Sequence, residues 1–334
     1  MRYLITGGAG FIGSHLVEHL VALGHEVVVL DDLSSGRREH LADVWNAIRF
    51  IQGSVTDSDI CRQAMEHVDC ALHQAAVTSV QSSVDHPLAA HEVNLTGTVN
   101  VLLAARDAGV RRVVFAGSTS AYGNPAQLPN CEDHPTRPQS PYAASKAAAE
   151  QYCRAFYATY GLETVVLRYF NVFGPRQNPN SQYAAVVPRF ISAALRGERP
   201  IIYGDGRQTR DFVHVANVVY ANLLASQAAA DRVAGEVFNV GSGRSISVNE
   251  LWRRIRHLVG VDLEPEYGQR RAGDVRDSVA SVDRARDLIG YEPVVEFDAG
   301  LALTVSYCRH ASGGARPRKT VTRHRAALLG ASGN

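Results

Sequence analysis

The chain has 334 residues, 46% of them hydrophobic and 20% charged, with a formal net charge of +1 at pH 7. That length fits one large unit or two closely joined ones. The near-neutral balance gives no electrostatic case for nucleic acid or a membrane surface, and no apolar run reaches the roughly 20 residues a membrane span needs.

The N-terminus starts almost at once with a strand, Arg2 to Thr6, which leaves no room for a signal peptide. The glycine turn Gly7-Gly-Ala-Gly10-Phe-Ile-Gly13 follows, then a helix to Gly24 and a second strand, Glu26 to Leu30, ending in Asp31 and Asp32. This is a βαβ unit with its glycines at a helix N-terminus, where backbone N–H groups and the helix dipole suit a pyrophosphate. The spacing is G-x-x-G-x-x-G. An acid closing the second strand accepts hydrogen bonds from ribose hydroxyls and repels a 2′-phosphate, so NAD is favoured over NADP.

The alternation goes on through strands at Ile48 to Ile51, Cys70 to Gln74, Arg112 to Ala116 and Glu163 to Tyr169. Between them fall helices over Asp57 to His67, about Leu88 to Gly109, and from Tyr142 to near Gly161. Six β-like runs alternating with helices predict a doubly wound parallel sheet. Small Ala75 and Ala76 at one strand end let a cofactor lie against the backbone. Gly117-Ser-Thr-Ser120 arrives at the sheet edge where open α/β folds bind ligands.

Ser140 and Pro141 form a cap and first-turn proline for the helix carrying Tyr142-Ala-Ala-Ser-Lys146. Tyr142 and Lys146, at i and i+4, share a helix face, and a nearby cation favours phenolate. The same pair also fits an amphipathic helix with Tyr buried and Lys at its rim. Beyond Pro175 the rhythm changes. A helix near Ala184 to Leu195, a short run Pro200 to Tyr203, a return segment about 209–240 containing the strand Val237 to Val240, and small helices follow. The predicted organisation is 1–170 as a dinucleotide-binding domain with that return segment, 171–208 and 241–309 as a smaller interleaved α/β domain, and 310–334 as a basic, loosely held tail. The five cysteines, Cys61, Cys70, Cys131, Cys153 and Cys308, are scattered and lack C-x-x-C spacing, so neither a disulfide framework nor a zinc site is expected, and a reducing cytoplasm is the default.

Thr6-Gly-Gly-Ala-Gly-Phe-Ile-Gly13, Asp31, His73-Gln-Ala-Ala76, Ser118, Tyr142-x-x-x-Lys146 and Arg168-Tyr-Phe-Asn-Val-Phe-Gly-Pro175 occur in order. Together they resemble the extended short-chain dehydrogenase/reductases, and among these the nucleotide-sugar epimerases and dehydratases, over about Met1 to Arg309. The resemblance implies a Rossmann-type fold with tightly held NAD. It implies cofactor contacts from Gly7, Gly10, Phe11, Ile12, Gly13, Asp31, Asp32, Ser35, Gly36, Ser54, Val55, Gln74, Ala75, Ala76, Tyr142, Lys146 and Tyr169. Ser54 stands where relatives carry an adenine-binding Asp.

The resemblance also implies a catalytic Ser118, Tyr142 and Lys146, with Tyr142 as phenolate taking the C4 hydroxyl proton while hydride passes to NAD and back. Its pKa is expected to be lowered by Lys146 and the nicotinamide. Dehydratases carry Asp-Glu, and decarboxylases a Glu, where this chain has Thr119 and Ser120, so C4 epimerisation of a UDP-hexose remains. A UDP-sugar is expected against Thr78, Ser118, Thr119, Asn171, Val187, Tyr203, Arg210, Arg271, Asp274 and Ser278, although Arg210 also reads as a surface charge. Ser278 leaves space for an N-acetyl group at C2. UDP-glucuronate stays open through Arg176 and Arg189, as do another nucleotide-sugar oxidoreductase and a non-catalytic NAD-binding regulator. A homodimer through helices of about Leu88 to Gly109 and Tyr142 to Tyr160 is implied as well.

Overall fold

A computed structural model describes residues 1–124, 127–179, 185–270 and 275–312. The expected strands appear as β1 (Arg2–Thr6), β2 (Glu26–Asp31), β3 (Ile48–Gln52), β4 (Cys70–His73), β5 (Arg112–Ser118) and β6 (Glu163–Tyr169). A seventh, Val237–Val240, pairs parallel to β6 at the edge of the sheet, and the other pairings run β6-β5-β4-β1-β2-β3, all parallel.

Alternate residues of each strand feed opposite faces. Tyr3, Ile5, Val27, Val29, Leu72 and Val114 pack with Leu16 and Leu20 of the helix Phe11–Ala22 and with Val218 of the helix Val215–Gln227. Leu4, Val28, Ala71, Val113 and Phe115 pack on the other face with Leu102, Ala149 and Cys153. Helices therefore cover both faces, as a wholly parallel sheet requires. A third apolar cluster joins Phe173, Phe190, Phe212 and Trp252 under the helices Val186–Arg196, Val248–Val259 and Phe297–Ser312. No described helix is long and apolar enough to cross a membrane.

The expected single helix over about Leu88 to Gly109 differs in detail. A short helix, Val80–Asp85, precedes Pro87–His91, and a π-helical turn at Glu92–Thr96 separates the latter from Gly97–Asp107. The reason is Asn94, fully buried, which accepts from Val77 N–H at 2.8 Å and donates to Val77 O at 3.0 Å and to Ser145 Oγ at 3.1 Å. The wide turn lets this amide serve two neighbouring segments at once. The helix Phe297–Ser312 runs past the point where the tail was expected to begin, and residues 313–334 lie outside the described chain.

Candidate active site

Parallel register brings the C-terminal ends of β1, β2, β4, β5 and β6 to one edge: Thr6 stands beside Leu30 and His73, and Ser118 beside Tyr169. The glycine turn leaves β1 here. Gly7 has φ +66°, and a Cβ on it would lie 2.8 Å from Ala75 N, so two strand-end loops meet with no side chain between them. Gly10 precedes the helix Phe11–Ala22 without a side-chain cap. The first-turn N–H groups of Phe11, Ile12 and Gly13 are thereby left to an anion.

Asp31 is 6% exposed and holds this loop by accepting from Ala9 N–H and Leu33 N–H, each at 2.8 Å. Burial pushes its pKa up and the two backbone bonds oppose that. Each oxygen keeps a lone pair, which suits ribose hydroxyls. Asp32 is turned to Ser34, and exposed Ser35 and half-buried Gly36 continue the rim. Gly53 N–H donates to Asp31 O at 3.1 Å, which places Ser54 and buried Val55 next in line, with Ser54 Oγ accepting from Thr56 Oγ1 at 2.9 Å. Gln74 and Tyr169 come together: Tyr169 Oη donates to Gln74 Oε1 at 3.2 Å, and Asn222 Nδ2 donates to Tyr169 Oη at 2.8 Å. Burial pushes the Tyr169 phenol up to about 12.

Beside Ala75 runs a directional chain of hydrogen bonds. Thr98 Oγ1 donates to Asn94 O at 2.7 Å, so the 3.0 Å contact of His73 Nε2 is a donation to Thr98. His73 Nδ1 then accepts from Thr6 Oγ1 at 2.6 Å, and Thr6 Oγ1 accepts from Ala75 N–H at 3.2 Å. His73 is a neutral core residue, its pKa lowered to about 3 by burial and then by the Lys146 charge.

The helix Pro141–Tyr160 starts as its cap predicts, Ser140 Oγ accepting from Ala143 N–H at 3.1 Å. Tyr142 N–H donates to Ser83 Oγ at 3.0 Å, fixing the first turn. Lys146 is 3% exposed, donates to Ala116 O at 3.0 Å and lies 4.8 Å from the Phe115 ring centroid. Burial holds its pKa down to about 8. At the end of β5, Ser118 Oγ is 2.8 Å from Ser120 Oγ and accepts from Ser120 N–H. Half-buried Thr119 lies between them.

The expected lowering of the Tyr142 pKa by Lys146 is not found in the chain alone. Burial raises the phenol, and a hydrogen bond with Ser118 is what opposes the rise. Lys146 instead donates to Ala116 O inside the protein.

Behind the site, Glu150 and Arg168 form a bidentate ion pair at 2.6 and 2.9 Å, 1% and 3% exposed. Arg168 also lies 4.6 Å from the Tyr122 ring centroid. This pair, with Asn94 and Asn222, was not singled out from sequence. Glu150, four residues past Lys146 on the same helix face, was the available signal.

Farther out, Asn171 N–H donates to Asp211 O at 3.0 Å, and Arg210 Nη1 donates to Thr209 O and Arg276 O at 2.8 and 3.0 Å. Tyr203, with Gln208, Arg270 and Arg276, lines a cavity of about 260 Å³. Ser278 is 6% exposed and Thr78 is exposed. The Val187 side chain is 2% exposed within the third apolar cluster, so only its backbone is left to face a nucleotide. Arg271 and Asp274 lie outside the described residues.

A doubly wound sheet with a glycine turn, a strand-end acid and a Ser-Tyr-Lys set at one edge defines a dinucleotide-dependent enzyme. Residues 3–241 match the NAD dependent epimerase/dehydratase family, and the chain belongs to that family. It is an enzyme of the epimerase type with NAD as its cofactor. The UDP-glucose 4-epimerase of Mycolicibacterium smegmatis is 44% identical over 316 residues, 93% of this chain and 100% of that one. Among solved structures, Thermotoga maritima UDP-glucose 4-epimerase with UDP-glucose superposes with TM-score 0.89 at 39% identity, covering 93% of this chain and 100% of the other. UDP-N-acetylglucosamine 4-epimerase from Methanobrevibacter ruminantium M1, in complex with UDP-N-acetylmuramic acid, gives 0.89 at 38% identity over 93% and 98%.

Proposed function

We propose that this chain inverts C4 of a UDP-hexose, UDP-glucose/galactose and/or UDP-N-acetylglucosamine/galactosamine, through a transient 4-keto sugar. The observation that carries the reading is that the helix of Tyr142 and Lys146 is tied to the end of β5, Lys146 Nζ donating to Ala116 O at 3.0 Å, with hydroxyls in place of carboxylates at 119 and 120. Water elimination needs an acid and a base beyond the tyrosine, and Thr119 and Ser120 supply neither.

Ser118 accepts or donates between the Tyr142 phenol and the C4 hydroxyl and so fixes the proton path. Tyr142 takes the hydroxyl proton on oxidation and returns it on reduction. Lys146 keeps an ammonium beneath the site, anchored on Ala116 O. NAD, when bound, would supply a hydride acceptor that gives the hydride back to the other face of the 4-keto sugar, and would bring positive charge to a phenol that the protein alone leaves raised. Gly7, Gly10, Phe11, Ile12, Gly13, Asp31, Asp32, Ser35, Gly36, Ser54, Val55, Gln74, Ala75, Ala76 and Tyr169 are assigned to holding it.

Asn171, Arg210 and Arg271 are assigned to the diphosphate, with Tyr203, the Val187 backbone and Asp274 around uridine. Thr78, Thr119 and Ser278 are assigned to the sugar. Apart from Phe212 of the return segment, the buried residues of the third apolar cluster lie in the proposed substrate domain, 171–208 and 241–309. Relatives named for both the glucose and the N-acetylglucosamine nucleotides superpose equally well, which supports either C2 substituent. Arg176 pairs with Glu18 on the cofactor helix, and Arg189 lies over Tyr203, so neither supports a glucuronate carboxylate. We also propose a homodimer through Pro87–His91 and Pro141–Tyr160, whose Leu88, Tyr152, Tyr157 and Tyr160 are exposed. Incubation with each UDP-sugar without added cofactor, read by proton NMR, tests the activity. Inversion of none of them would refute it.

A further inference from the structure

Asp211 takes no part in the chemistry above, yet its carboxylate is fully buried and shared between four donors. Oδ1 accepts from Ser242 N–H at 2.7 Å and Ser242 Oγ at 2.6 Å, and Oδ2 accepts from Gly243 N–H at 3.0 Å and Ala280 N–H at 3.1 Å. A Cβ on Gly241 would lie 2.7 Å from both Asp211 Oδ2 and Ala280 Cβ, so the turn before Ser242 is shaped around this carboxylate.

Its neighbours grip the same strap, residues 276–280. Thr209 N–H donates to Arg276 O at 3.0 Å, Thr209 Oγ1 to Asp277 Oδ1 at 2.8 Å, and Arg210 Nη1 to Arg276 O at 3.0 Å. The other wall is Asn130, whose N–H donates to Val279 O at 2.8 Å and whose carbonyl accepts from Ser281 N–H at 2.9 Å. Ser278 sits between these anchors.

We infer that Asp211 is a positioning residue for a nucleoside-diphosphate sugar: by binding Ala280 and the Ser242–Gly243 turn, it fixes the spacing between Arg210 at the diphosphate and Ser278 at the sugar. The inference rests on the roles proposed above for those two residues. A carboxylate is required because both oxygens receive donors. An amide offers one accepting oxygen and turns its own donors toward the remaining N–H groups. Losing these charge-assisted bonds frees the strap and weakens the substrate at both ends, while Ser118, Tyr142 and Lys146 stand on other elements.

The test compares Asp211→Asn and Ser242→Ala with the unaltered protein. UDP affinity is read by calorimetry, KM and kcat by turnover, and bound cofactor by absorbance. Asp211→Asn is expected to raise the UDP Kd and the KM about tenfold, the size of one lost bond to a charged group. Ser242→Ala, which removes a single donor, is expected to raise both about threefold, with kcat and cofactor content kept within about twofold in each variant. Unchanged Kd and KM would overturn the inference, as would kcat, cofactor and melting temperature falling together with affinity in Ser242→Ala. If Asp211→Asn does not fold, the milder variant decides. UDP binding needs no turnover, so an unaltered protein that binds UDP but inverts no sugar would refute the proposed reaction while the Kd series still judges Asp211.

Discussion

Ser118 Oγ lies 2.8 Å from Ser120 Oγ at the point where β5 leaves the sheet, and it also takes the Ser120 N–H. A hydroxyl, not a carboxylate, is therefore the neighbour of the group that meets Tyr142. Ser118→Ala should lower kcat about 10²-fold, the lower end of a general acid–base contribution. Ser120→Ala should change kcat by less than about threefold, because the Ser118 hydroxyl is kept. Equal losses in the two variants, measured by the rate of C4 inversion, would contradict the assignment of Ser118.

His73 makes stability pH-dependent with a definite sign. Its folded pKa, about 3, lies below the ordinary imidazole value of 6.5. The unfolded chain thus binds the extra proton between those limits. The contribution is fully present above pH 6.5 and is lost as pH falls toward 3, by about 1.4 kcal/mol per pH unit from this group. His73→Gln, compared with the unaltered protein by urea unfolding at several pH values, should remove that slope while costing stability at pH 7. An identical acid slope would contradict it.

The buried Glu150–Arg168 pair is expected to behave as a unit. Arg168→Met alone leaves a carboxylate 1% exposed without its partner and should cost about 3–5 kcal/mol. Adding Glu150→Gln should recover part of that loss, since no unpaired charge then remains. Unfolding midpoints of the two single variants and the double variant measure the coupling, and strict additivity would argue against it.

For the proposed dimer, Leu88→Glu places a charge on a side chain that is 75% exposed in the single chain and should yield monomers by light scattering. A monomeric unaltered protein would refute that interface.

The βαβ start, the strand ends and the cap of the Tyr142 helix were legible because each is local. Ser140, Pro141 and Gly161 delimit a helix through backbone chemistry alone. The π-helical turn was not legible, because its cause is one amide, Asn94, joining Val77 to Ser145, 51 residues away. The role of Asp211 was not legible, since three of its four bonds go to Ser242 and Gly243 and the fourth to Ala280, 69 residues on. The phenol's raised pKa also escaped, because i,i+4 spacing reports which face a lysine shares and not how deeply the phenol is buried.

The central claim is tested most directly by proton NMR of purified protein given UDP-glucose or UDP-N-acetylglucosamine with no added NAD. Inversion at C4 of at least one of them is predicted, with a loss of about 10³-fold in Tyr142→Phe. No inversion, or a Tyr142→Phe rate near that of the unaltered protein, would contradict the account.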